Sequence, residues 1–216
     1  ADGRLRREQF SAWLATTAGH AAGTRGNCLS VLRQFSRYAH ARDPGHAVAP
    51  TDMLPRQRRP LRFCRIDPEQ VGALMDAALQ LRPSGPLRAH CIHVLVGLLY
   101  CTGLRISEAL NLDLADVDPA AGTLRVRRGK FGKERLVALS PSTLDAIGNW
   151  LGLRSGFAST GLSALCFVGG LNRRLTYRQA RDAFLMLCRR CGLKTSPRPR
   201  LHDLRHNYAC GCIERW

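Results

Sequence analysis

The sequence has few acidic residues, few aromatic residues and no long apolar run, and each shortage disfavours a class of protein. Its longest apolar stretch, residues 92–100, is far shorter than the roughly 20 residues of a membrane-spanning helix. Aromatic residues make up only 6% of the chain, whereas RNA-binding sheets stack bases on aromatic side chains. Acidic residues number 16 against 33 lysines and arginines, a net charge of +17. Since a charge of about 2 to 8 suffices for solubility, the excess predicts a polyanionic partner, above all nucleic acid.

The nine cysteines are irregularly spaced and odd in number. Together with the lack of a recognisable secretory signal, they favour reduced thiols in a cytoplasmic protein over a disulfide framework. Two close cysteine pairs beside two histidines could be drawn as a zinc site: Cys188 and Cys191, Cys210 and Cys212, His202 and His206. Cys188, however, falls within an amphipathic helical pattern, where a buried free cysteine is common. We therefore predict no metal site.

Helical patterns occupy both ends of the chain, and a stretch rich in proline and arginine separates them. Residues 1–45 show apolar residues at helical spacing, whereas residues 46–62 have no hydrophobic period and are typical of a linker. A second region, 63–216, begins with a helix signal, because Asp67 can cap a helix that starts at the proline after it. The chain opens with alanine and stops at Trp216 without a helix cap, so we expect truncation at both ends.

The second region combines helices with one β-hairpin. Helical periods recur along it, and the most apolar of them spans residues 86–101. Residues 123–128 and 135–139 alternate between apolar and polar side chains around a Gly-Lys-Phe-Gly turn at 129–132. This pattern predicts a hairpin with a basic tip. The predicted fold class is therefore mainly α with a small antiparallel β-sheet (α+β).

Four basic residues lie at the ends or tips of predicted elements, where side chains can converge on one ligand. Arg105 follows Gly103 at the start of a helix, close to unpaired backbone N–H groups that favour an anion such as phosphate. An ion pair with Glu108 explains this arginine equally well. Lys130 lies at the hairpin tip between glycines, which let the backbone approach another molecule, although charged tips are common on any protein surface.

His202 and Arg205 are three residues apart in a predicted helix and therefore share one of its faces. Histidine can transfer a proton near neutral pH, and a guanidinium can hold two phosphate oxygens at once. Together the two side chains could bind one phosphate group. An isolated H-x-x-R pair could equally consist of ordinary exposed side chains or of helix-capping residues. Whether this pair binds phosphate therefore has to be judged from the surrounding motifs.

Three motifs in a fixed order carry a family resemblance. They are Thr-Gly-Leu-Arg-Ile-Ser-Glu at 102–108, Gly-Lys-Phe-Gly-Lys-Glu-Arg at 129–135 and Leu-His-Asp-Leu-Arg-His at 201–206. In this order they closely resemble the tyrosine recombinase (phage integrase) family, and the resemblance extends over roughly residues 66–215. It implies that family's catalytic-domain fold for residues 63–216, preceded by a remnant of its all-helical core-binding domain.

The resemblance also implies a role for each of the four basic residues. Arg105 and Arg205 would stabilise the negative charge that builds on a phosphodiester under attack. Lys130 would protonate the departing 5′ oxygen, and His202 would act as general acid and base and as a phosphate donor. A tyrosine would form a covalent 3′-phosphotyrosine, and no metal or other cofactor would take part.

The family pattern continues past the last residue of this sequence, with a second histidine or tryptophan and then the nucleophilic tyrosine. We therefore expect this fragment not to cleave DNA. Tyr208 stands where the family usually has an aromatic packing residue, and we assign it to the core. Further basic residues are candidate contacts to the DNA backbone, although each could equally be a solvated surface charge: Arg33, Arg37, Arg128, Lys133, Arg135, Arg198 and Arg200.

The expected partner is double-stranded DNA at recombination sites. The resemblance implies a homotetramer on DNA for the full-length protein, and we expect it in the bacterial cytoplasm, associated with the nucleoid. A non-catalytic DNA-binding protein derived from a recombinase is the alternative. The encoded sequence beyond Trp216 would discriminate between the two, because only the enzyme needs the tyrosine.

Overall fold

The computed structural model describes residues 3–55, 63–81, 85–127, 129, 132–156, 166–169, 173–193 and 196–216. The chain divides into two compact units, Ala1–Leu61 and Arg62–Trp216. The division falls inside the predicted linker 46–62, of which residues 56–62 lie outside the described part. That the first unit is a remnant of a DNA-binding domain stays a prediction.

The described residues of the first unit form two helices, α1 (Arg7–Thr16) and α2 (Ala22–Arg42). Phe10 and Leu14 of α1 are buried with Leu29 of α2. The first residues of the predicted linker fold back onto α2, where the hydroxyl of Ser36 accepts a hydrogen bond from the backbone N–H of Ala49 at 3.0 Å. Hydrogen bonds rather than an apolar period hold this segment, and the hydrophobic pattern therefore did not reveal it.

The second unit is mainly helical with one small sheet, as predicted. Its elements are α3 (Pro68–Leu79), α4 (Gly85–Thr102), α5 (Ile106–Leu110), β1 (Val117–Asp118), β2 (Thr123–Val126), β3 (Arg135–Ala138), α6 (Pro141–Gly156), α7 (Tyr177–Arg190) and α8 (Leu201–Glu214). Helix α3 begins at Pro68 as the capping signal predicts, since Gln70 accepts the backbone N–H of Asp67 at 3.0 Å.

Helix α4 lies at the centre of this unit and packs against α3, α5, α6, α7 and α8. It is apolar almost all round, which is the pattern expected of a helix surrounded by others. Leu95 and Leu99 are about 1% exposed, so truncating either to alanine would cost about 2 to 5 kcal/mol. In the part of the chain that the structure describes, no helix is long and apolar enough to cross a membrane.

The sheet is antiparallel in the order β1-β2-β3, with Leu124 opposite Val137. Strand β2 turns Leu124 and Val126 into the core, whereas Leu136 of β3 is exposed. Strand β1 was not predicted, because two residues are too few to show a period. Gly129 lies at the base of the hairpin tip, where an added Cβ would meet the carbonyl oxygen of Lys133 at 2.6 Å, so the tight turn requires glycine.

Candidate active site

Gly103 ends α4 and sets the direction of the chain into α5. Its φ of +62° is a left-handed conformation that glycine adopts without strain, and a Cβ at this position would clash with the ring of Tyr208 in α8. Helix α8 can therefore pack directly over this turn. Arg105, two residues later, is the N-cap of α5.

Glu108 is the shared partner of two arginines. Its Oε1 accepts from Arg105 at 2.8 Å and from Arg135 at 3.1 Å, while Oε2 accepts from the second Arg135 nitrogen at 2.7 Å and from the Arg105 backbone N–H at 2.9 Å. Burial by itself raises the pKa of this carboxyl, but the hydrogen bonds from Arg135 and Arg105 outweigh burial and lower the pKa to about 2. Glu108 is therefore ionised at every physiological pH.

Arg205 lies beside the same turn. One of its guanidinium nitrogens donates to the carbonyl oxygen of Gly103, two residues before Arg105. Burial lowers the pKa of Arg205, and the nearby positive charge of Arg105 lowers it further. Arginine is not deprotonated in proteins, so Arg205 remains cationic. The structure thus brings Arg105 and Arg205, predicted from separate motifs, to one place.

His202 lies in the first turn of α8 and is exposed. Its ring meets the ring of His206 edge-on, with 4.6 Å between centroids. Partial desolvation lowers the pKa of His202, and the charges of His206 and Arg205 lower it further. The neutral imidazole therefore predominates near pH 7, and it can accept a proton at one nitrogen while it donates at the other.

Tyr208 is half-buried and lies with its ring against the Gly103 turn, outside the hydrophobic core to which the sequence analysis assigned it. Its hydroxyl is hydrogen-bonded to Cys212, one turn further along α8, and this contact together with burial raises the pKa of Tyr208. A tyrosine with a raised pKa is a poorer nucleophile, because less of it is ionised. The phenol is thus engaged along its own helix.

Two of the predicted residues, Lys130 and Arg128, lie outside the described residues, and their roles stay predictions. The other candidate DNA contacts are spread over the chain. Arg33 donates to the carbonyl oxygens of Pro50 and Thr51 within the first unit. The remaining ones are exposed to solvent: Arg37, Lys133, Arg135, Arg198 and Arg200.

Sequence reasoning treated Glu108 only as a rival explanation for Arg105 and did not identify Asp203 at all. Asp203 is fully buried and accepts from the backbone N–H of Arg200 at 2.8 Å and from its guanidinium at 3.0 Å. The signal that could have found both acids is an arginine followed by an acid three residues later at a predicted helix start.

Over the residues that the structure describes, no group of three or more histidine, cysteine, aspartate or glutamate side chains could hold an ion. Cys188, one member of the zinc site considered from the sequence, is buried, and burial raises its pKa to about 12. Such a thiol stays protonated, whereas a metal ligand must be a thiolate.

Comparison with known proteins identifies relatives over most of the chain. Residues 64–215 match the Phage integrase family. A protein named as an integrase/recombinase, y4rB of Sinorhizobium fredii, is 36% identical over 195 residues, 87% of this chain and 62% of the relative. The tyrosine recombinase XerC of Rhodospirillum centenum is 36% identical over 208 residues, 93% of this chain and 58% of its own length. The chain thus spans about three-fifths of these curated relatives.

Solved structures show the same fold at lower identity. The site-specific recombinase XerH bound to its difH substrate superposes with a TM-score of 0.65 at 20% identity, over 95% of this chain and 58% of that one. The Tn1549 transposon integrase in complex with circular intermediate DNA gives a TM-score of 0.69 at 18% identity, over 95% of this chain and 71% of the other.

Proposed function

The chain belongs to the phage integrase family, and from that premise we propose that its parent protein is a site-specific DNA recombinase or integrase that works through a 3′-phosphotyrosine. The observation that supports this most is the meeting of Arg105 and Arg205 at the Gly103 turn. Two guanidiniums held near the same turn suit a phosphodiester whose non-bridging oxygens gain negative charge under attack.

The reaction needs three further side chains beside that pair: a tyrosine, Lys130 and His202. A tyrosine oxygen attacks phosphorus, the bond from phosphorus to the 5′ oxygen breaks, and Lys130 supplies a proton to the departing oxygen. His202, neutral near pH 7, accepts the tyrosine proton or returns it in the rejoining step, in which the 5′ hydroxyl displaces the tyrosine. The covalent intermediate conserves the bond energy, so no cofactor is required.

We further propose that these 216 residues do not cleave DNA by themselves. The hydroxyl of Tyr208 is engaged with Cys212 and its pKa is raised, and the family places its nucleophile after the motifs found here. The partner is double-stranded DNA at recombination sites, bound by a homotetramer of the parent protein in the cytoplasm, associated with the nucleoid. We propose that Arg37, Lys133, Arg198 and Arg200 contact the DNA backbone. Binding through such phosphate contacts should weaken steeply as the salt concentration rises.

A suicide-substrate assay tests the proposal. The protein, extended to its natural C-terminus, is incubated with nicked DNA from the ends of its own element, and covalent adduct is measured. We expect adduct that is lost when the tyrosine is replaced by phenylalanine and lowered on the order of 10³-fold in Arg205→Ala. Arg181→Ala is the matched control, since it removes an exposed arginine of α7 that pairs with the adjacent Asp182.

The alternative, a non-catalytic DNA-binding protein, makes the opposite prediction in the same assay. Salt-sensitive binding to a verified site without any adduct would support it and contradict the recombinase mechanism.

A further inference from the structure

We propose that Arg135 of β3 is a positioning residue for the arginine pair, acting through Glu108 rather than by contact with DNA. The inference rests on the proposed function and adds to it a role for Arg135, the last residue of the 129–135 motif. Arg135 lies on β3 of the hairpin, five residues after Lys130 in the sequence. Through Glu108 it connects this hairpin with the Gly103 turn, where Arg105 and Arg205 meet.

The first support is the saturation of the Glu108 carboxylate. It accepts four hydrogen bonds, two from Arg135 at 3.1 and 2.7 Å and two from Arg105 at 2.8 and 2.9 Å. A carboxylate has about four acceptor positions, so its orientation is fixed completely by these two residues. Only 2% of the Glu108 side chain is exposed, and water cannot replace a lost partner.

The second support is the way in which Arg105 and Arg135 share the two oxygens of the Glu108 carboxylate. Arg135 uses both terminal nitrogens of its planar fork, the geometry in which arginine binds carboxylates best. One guanidinium nitrogen of Arg105 donates to Oε1 of Glu108. Among the described residues, its other guanidinium N–H groups have no hydrogen-bond acceptor. Those donors are available to phosphate. Without Arg135, the buried negative charge would draw the Arg105 guanidinium onto both oxygens and away from a ligand.

The third support comes from Gly129. The point where a Cβ on Gly129 would lie is 3.2 Å from a terminal nitrogen of Arg135. The guanidinium therefore passes beside the base of the hairpin tip on its way to Glu108. Arg135 therefore lies close to Gly129 and binds Glu108, so one side chain connects the hairpin with the start of α5.

Arg135→Met in the parent protein separates positioning from DNA contact. Arg125→Met is the matched control, because Arg125 lies on the same hairpin opposite Leu136 and forms an exposed pair with Glu134 at 3.4 Å. At saturating protein on nicked DNA, we expect Arg135→Met to lower the single-turnover cleavage rate roughly 10- to 100-fold, since two hydrogen bonds to a charged group are lost. We expect DNA affinity and its salt dependence to remain unchanged. Arg135→Lys recovers little of the rate, because an ammonium cannot bridge both oxygens.

A neutral methylphosphonate at the scissile position provides the readout that a general folding defect would not give. It lacks one charged non-bridging oxygen, so cleavage depends less on a correctly placed guanidinium. The defect of Arg135→Met should shrink on this substrate. In a Glu108→Gln background, Arg135→Met should add little further loss, because both changes act through the same carboxylate.

Three results decide the matter. A rate within twofold of the unsubstituted protein, a defect explained by weaker DNA binding, or equal defects on both substrates would each overturn the role of Arg135 while leaving the recombinase intact. Absence of adduct from the unsubstituted parent would overturn the proposed function, and this inference with it.

Discussion

The N-termini of α5 and α8 are built alike and serve the site differently. Each has an arginine at the N-cap and a buried acid three residues later that accepts the arginine's backbone N–H and guanidinium. The pairs are Arg105 with Glu108 and Arg200 with Asp203. In α5 the acid also binds a second arginine from the sheet, whereas the described contacts of Asp203 with arginine come from Arg200.

This difference suggests separate roles for the two N-cap arginines, Arg105 of α5 and Arg200 of α8. The Arg105 side chain is 36% exposed and lies near Arg205, while that of Arg200 is 59% exposed. In α8 the residues proposed for chemistry, His202 and Arg205, follow the cap rather than form it. An arginine and an acid at this spacing therefore define a helix start in both cases. A second arginine on the acid distinguishes the start of α5, where we propose that phosphate binds.

The largest effect expected from this comparison is on cleavage. Arg105→Ala should lower the single-turnover rate of the parent protein on the order of 10³-fold, because a guanidinium at the phosphate is lost. Arg200→Ala, which removes the same group from the equivalent cap, should change the rate at saturation by less than about 10-fold. The measurement is adduct formation at saturating protein. Equal losses in both variants would contradict the distinction between the two caps.

The next effect is on stability and its pH dependence. Glu108 has a pKa of about 2 in the folded chain, against a reference value of 4.5. Because the folded pKa is lowered, ionised Glu108 stabilises the folded chain above pH 4.5, and this stabilisation is lost as the pH falls toward 2. The shift corresponds to roughly 3 kcal/mol. Urea unfolding of the 216-residue chain should therefore show Glu108→Gln less stable at pH 7 by about 2 to 3 kcal/mol.

The pH dependence of unfolding provides a control for the predicted effect of Glu108→Gln. Between pH 6 and pH 3, Glu108→Gln should lose less stability than the unsubstituted chain, because the titrating group is gone. Asp182→Asn, at an exposed ion pair of α7, should leave the stability nearly unchanged. Parallel pH curves for the Glu108 variant and the unsubstituted chain would refute the proposed ionisation.

Local signals in the sequence were sufficient for most of the fold. The capping pattern placed the start of α3 at Pro68, and the glycine after Thr102 correctly ended α4. Both depend on residues within one helical turn of each other. Strand β1 and the packing of Ala49 against α2 have no such local pattern, so hydrophobic periodicity could not reveal them.

The sequence named candidate residues for the site, whose roles stay predictions, but it did not show how they are arranged. Family order selected Arg105, His202 and Arg205, and it could not show that Glu108 holds an arginine 27 positions away. An ion pair across that distance depends on how the hairpin packs beside α5, which no spacing rule expresses. For that reason Arg135 was interpreted as one more DNA contact.

The smallest expected effect concerns DNA binding by Arg200. If this exposed arginine contacts a phosphate, Arg200→Ala should make the slope of log affinity against log salt shallower by about 0.9, the contribution of one released counterion. Arg200→Lys keeps the charge and should keep the slope, although the cap to Asp203 is weakened. Fluorescence anisotropy of labelled duplex at several salt concentrations measures both on the 216-residue chain. A slope unchanged in Arg200→Ala would mean that Arg200 serves the cap alone, and the two helix starts would then differ only in the sheet arginine that reaches Glu108.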